Sequence, residues 1–154
     1  MKELLSVALV WTHLVAAVVW LGGMVFILWV AIPTARKALG ADAGKLMGEV
    51  TRRFTPLANG SILLLLLSGL ALMAVEGFSG GNFQSGGGLV TAFKLFLFLA
   101  MAAVHFYRGK VLAPRIVRVG SEQERAGLQK FSLALVKANL AAGLAVLLLS
   151  AMIG

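Results

Sequence analysis

Apolar residues run through this chain in long blocks rather than in the spaced stripes of a soluble helix. Four blocks, near residues 4–32, 57–76, 89–113 and 131–153, each reach the roughly 20 residues that a bilayer-spanning helix needs. Basic and small polar residues collect between them. The pattern predicts an all-α integral membrane protein, an antiparallel four-helix bundle forming one transmembrane domain over residues 1–154. The first block is longer than a signal-peptide core and no small-x-small site follows it, so it is expected to remain as a span.

The blocks fall into two similar pairs. An offset of 81 positions carries Pro33 onto Pro114, each at the inner end of an apolar block, and also carries His13 onto Lys94 and Met24 onto His105. After a small gap, RRFT at 52–55 lies over QKFS at 129–132, each opening the next span. The chain therefore reads as two repeated helical hairpins of parallel orientation.

Charge then sets the topology. The net charge is +8, and Arg36, Lys37, Lys45, Arg52 and Arg53 cluster around the first connection. Arg108, Lys110, Arg115, Arg118, Arg125 and Lys130 cluster around the third, while the second connection, GFSGGNFQSGGG, and the C-terminus hold no Lys or Arg. By the positive-inside rule both basic loops are cytoplasmic and both termini lie outside, in a bacterial-type inner membrane. With 60% hydrophobic and 13% charged residues and a mean hydropathy of +0.94, the composition excludes an ordinary soluble domain. The lipid bilayer is the expected partner, and nucleic acid is not, because no soluble reading module is present. A homo-oligomer is compatible with this pattern. The lack of cysteine removes thiolate metal sites and thiol catalysis.

Few residues inside the spans carry chemistry. His13 and His105 are the two histidines of the chain, and an ionisable side chain inside a bilayer points to function. At about 1.5 Å per residue, His13 and Lys94 sit about 7 and 10 Å outward of their span centres, and His105 about 6 Å inward. Two levels with one imidazole each suit a haem, which asks for only one or two axial ligands. Met24, Met73 and Met101 suit either haem or copper(I), which accepts thioether and imidazole. Lys94 is free to snorkel outward, to pair with a cofactor carboxylate, or to act as ligand or proton carrier. Trp20, on the face of His13, is expected to pack against a cofactor or against the third span. Asn59, Ser61, Lys137 and Asn139 are expected to make interhelical hydrogen bonds.

The segments LVWTHLVAAVVWLGGMVF (9–26) and RRFTPLANGSILLLLLSGLAL (52–72) resemble the CopD-like family, through His13, Trp20, Gly22, Gly23, Arg53, Phe54 and Gly69. That resemblance implies a role in copper resistance or uptake across the inner membrane. The order His13, Trp20, Gly23, Lys94, His105 and Arg108 also resembles HemJ, which implies a b-type haem and protoporphyrinogen oxidation. The leading expectation is a haem b protein, with His13 and His105 as metal ligands and Lys94, Trp20, Met24 and Met101 around the cofactor. It would work in transmembrane or quinone-linked electron transfer, possible membrane oxidoreductase chemistry with a quinone or a redox partner protein. Copper binding or transport is the alternative, and HemJ-like oxidation a further one.

Overall fold

The computed structural model describes residues 1–75 and 87–152, and all of its regular structure there is helical. Helix α1 (Lys2–Phe26) passes through a π-helical turn (Ile27–Ala31) into α2 (Ile32–Leu39). A 3₁₀ turn (Gly40–Asp42) leads to α3 (Ala43–Val75). In the second half α4 (Gly87–Tyr107), a π-helical turn (Arg108–Leu112) and α5 (Ala113–Arg118) precede α6 (Glu122–Ala151). The chain divides into two compact units, Met1–Ser79 and Gly80–Gly154. The glycine-rich connection, with Glu76, and the last two residues lie outside the described residues.

Both π turns have the same cause. Proline has no N–H, and its ring would meet the carbonyl four residues back. For Pro33 that carbonyl belongs to Trp29, and for Pro114 to Lys110. Widening the turn moves those carbonyls aside. The backbone then closes through the i→i−5 bonds Ile32 N–H to Ile27 O and Ala113 N–H to Arg108 O. The offset of 81 that aligns the prolines also carries 27–31 onto 108–112. The repeat legible in the sequence is thus a repeat of backbone geometry as well.

Within the first unit α1 and α3 run antiparallel, because His13 meets Ser68 while Gly23 meets Phe54. The turn between them uses Gly40 at φ +51°, a left-handed conformation that favours glycine. Ala16, Trp20 and Met24 repeat at four-residue spacing on α1 and are buried, as are Ala58, Ser61, Ile62, Leu65 and Ser68 on α3. The indole of Trp20 is 2% exposed. Gly23 faces the Phe54 ring so closely that a Cβ there would overlap it. In the second unit α4 and α6 are also antiparallel, with Lys94, Met101 and Arg108 meeting Ser150, Asn139 and Ser132 in reverse order.

Leu63, Leu64, Leu67 and Leu70 leave a broad apolar surface on α3, each about half exposed. Such a surface suits lipid, and the helices are long and apolar enough to cross a membrane. Helix α3 begins fourteen residues before the apolar block expected at 57, and α6 nine before the one at 131. The blocks mark only the lipid-embedded length. Outside it the helices continue on local ion pairs, such as Glu49 with Arg52 and Arg53. The RRFT segment therefore lies inside a helix, with Pro56 two residues after Phe54.

Candidate metal site

His13 is partly buried on α1, and its Nδ1 lies 2.8 Å from Ser68 Oγ. The direction of that bond follows from a proton count. A serine hydroxyl has one hydrogen to donate, and Ser68 Oγ directs it to the Leu64 carbonyl at 2.5 Å. Toward His13 the hydroxyl can only accept. Nδ1 therefore carries the N–H, and the lone pair of the neutral ring sits on Nε2. Fixing one ring nitrogen through a hydrogen bond is how proteins select the tautomer of a ligand histidine. Gly69 follows Ser68, and a Cβ there would stand 3.5 Å from His13 Cε1. The imidazole edge thus lies against bare backbone.

The other expected site residues divide between the units. Trp20 and Met24 lie on the buried stripe of α1, seven and eleven residues beyond His13. Met24 lies about 16 Å further along the helix axis than His13, too far to share one small-ion site with that imidazole, and it is buried. In the second unit the Lys94 ammonium donates to Ser150 Oγ at 3.5 Å, close to the C-terminal end of α6. Met101 is buried, and its carbonyl accepts a 3.0 Å hydrogen bond from Asn139 Nδ2. His105, one turn after Met101, is partly exposed with its ring edge-on to Phe106. Arg108 Nε donates to Ser132 Oγ at 3.1 Å. Among the described residues no three His, Cys, Asp or Glu side chains gather as a ligand set. A site here has to be built from imidazole and weaker soft donors.

Of the residues expected to bond between helices, Asn139 does so and Ser61 is buried at the α1–α3 contact. Ser68, Ser132 and Ser150 were not anticipated. Ser68 interrupts the run LLLLLSGLAL, and a hydroxyl amid leucines was the available signal. A separation of 55 residues from His13 hid the pairing, because it is fixed only by the register of the hairpin.

The described helices and their polar interior define a helical membrane protein with one oriented imidazole in its first hairpin. Residues 48–153 match the family model of copper resistance protein D, CopD, about two thirds of the sequence, and the chain belongs to that family. The match starts within α3, so α1 and His13 precede it. No curated protein and no solved structure matches the chain.

Proposed function

We propose that the chain handles copper within the bilayer, with Nε2 of His13 as the donor around which the site is built. The observation that carries this reading is the relay from His13 Nδ1–H through Ser68 Oγ to the Leu64 carbonyl, which puts the N–H on Nδ1, so that the lone pair of the ring in its neutral form lies on Nε2. A neutral imidazole is a good copper(I) ligand, and a thioether is a suitable companion. Met73 follows Gly69 by one turn. One turn apart on the same face of α3, Gly69 and Met73 make that thioether the candidate companion donor. Two soft donors hold copper(I) weakly enough to release it, which suits passage more than storage. With both termini outside, as the basic loops imply, His13 lies in the outer half of its span and meets an ion arriving from that side.

The same Nε2 would serve a haem iron as axial ligand, and on that observation rests the second reading. It is haem b on His13 and His105, with electron transfer to a quinone or a redox partner, or HemJ-like oxidation. The family match favours copper. One preparation separates the two. The chain is purified in detergent from cells supplied with haem, its spectrum recorded, and copper(I) titrated against a competing chelator. A colourless protein that binds copper(I), and loses it in His13→Ala, is expected. A Soret band that disappears in His13→Ala, with no copper(I) bound, would replace the copper reading with the haem one.

A further inference from the structure

The second unit has an open surface pocket of about 550 Å³ where α4 gives way to α5 and α6 begins. Its size falls within the roughly 300–1,000 Å³ usual for ligand sites. Three cations line it, Lys110, Arg115 and Arg118, against one acid, Glu124. Val111 and Val119 supply apolar wall. We infer that this pocket binds the phosphate headgroup of an anionic membrane lipid.

The local structure holds the rim in place before any ligand arrives. Arg125 spends its guanidinium on the turn between α5 and α6, donating from one terminal nitrogen to the Val119 carbonyl at 2.9 Å and from the other to Glu122 at 2.9 Å. Ser121 caps α6 by accepting from Glu124 N–H. These contacts fix Val119 and the start of α6, and they leave Arg115 and Arg118 facing the pocket. The sole competing anion is weakly held. Glu124 reaches Arg115 at 3.9 Å, with both side chains more than half exposed, and an exposed pair at that distance contributes little. A phosphate presents more oxygens and can engage a guanidinium through two parallel hydrogen bonds. It therefore displaces Glu124 from Arg115.

Position selects a lipid over free phosphate. The pocket opens directly beyond the apolar block that ends near residue 113, beside Val111 and Val117, both more than half exposed. A headgroup in the pocket places its glycerol and upper acyl carbons along those valines, which free phosphate leaves bare. Basic pockets at helix ends on the cytoplasmic side are where anionic headgroups concentrate.

The test uses the full chain, delipidated in neutral detergent, with thermal unfolding followed by the loss of helix content in far-ultraviolet circular dichroism. Phosphatidylglycerol, phosphatidylcholine and inorganic phosphate are added separately. The expected result is a melting temperature raised by phosphatidylglycerol alone, with the rise lost in Arg115→Gln/Arg118→Gln and kept in the control Lys45→Gln/Lys130→Gln. Glu124→Gln should reach half of the effect at a few-fold lower lipid concentration. Equal loss in the control would reduce the effect to general charge attraction and overturn the site. An equal rise with inorganic phosphate would overturn the lipid as its ligand. If the arginine variant fails to fold, native mass spectrometry of the parent and Glu124→Gln decides. Failure to retain phosphatidylglycerol over phosphatidylcholine would then sink the proposal.

Discussion

The two hairpins share a backbone plan and differ in what they hold. Each crosses an apolar block, widens into a π turn before a proline, and returns antiparallel. In the first, the position about four turns before the π turn is His13, hydrogen-bonded to Ser68. In the second, the repeat-equivalent position is Lys94, bonded to Ser150. The imidazole offers a lone pair to a soft cation, whereas a charged ammonium offers only protons and repels metal. Where the first hairpin has Gly23 against Phe54, the second has Val104 at the equivalent site, and the equivalent Phe131 is about half exposed. One copy is closely packed around a ligand-type residue, while the other places cations on hydroxyls at both ends of its helix pair. The two hairpins thus share a frame and differ in the side chains held at a few equivalent positions.

Exchanging the key residues breaks this comparison most severely. His13→Ala should lower copper(I) affinity by more than about 100-fold, since removing a ligand costs more than removing its support. Lys94→Ala should leave affinity within a few-fold, and the competition titration reads both. Equal losses would mean that the hairpins share one site. Next in size is the support itself. Ser68→Ala frees the His13 tautomer and should weaken copper(I) binding about 10-fold or more, whereas Ser150→Ala should not. Ser68→Thr keeps the hydroxyl and should restore most of the affinity, a rescue that a purely structural defect would not show.

Much of this contrast was visible before any coordinates. Length and apolarity gave helices able to cross a membrane, the basic loops gave the charge asymmetry, and the matched prolines gave the repeated π turns. His13, Gly23 and Phe54 were conspicuous as residue types. What stayed hidden depends on register. A serine within a leucine run looks like any other small residue until antiparallel packing sets it 2.8 Å from an imidazole. The helices also start well before the apolar blocks, because hydropathy reports lipid contact while helices run on beyond it on charge pairs. The roles of Met24 and Met101 could not be read from type alone. Both are buried in their own hairpins, where a thioether packs as readily as it binds metal.

Packing gives the third and smaller test. Gly23→Ala places a methyl group into the Phe54 ring, and overpacking of this kind costs about 1–3 kcal/mol. Unfolding of the detergent-solubilised chain should report it, with Phe54→Leu in the same chain recovering part of the loss. Val104→Ala, at the matching position, should cost about 1 kcal/mol or less. If the two substitutions cost the same, the close approach of α1 to α3 does not distinguish the hairpins.

The smallest effect lies in the water-exposed start of α3. Glu49 accepts hydrogen bonds from Arg52 and Arg53, which pull its pKa from 4.5 down to about 2. A carboxyl whose folded pKa is depressed stabilises the fold fully above its unfolded pKa. That contribution is lost as pH falls from about 4.5 through about 2. Glu49→Gln removes it at every pH, so the gap between parent and variant should be present at neutral pH and close under acid. High salt should shrink the gap as well, since the pairs are exposed. The second hairpin has its own local pair, Arg125 with Glu122, so Glu122→Gln measured alongside shows whether the acid response belongs to the first hairpin. A gap that stayed constant from neutral pH down to pH 2 would mean that Glu49 supports α3 through its shape and not through its charge.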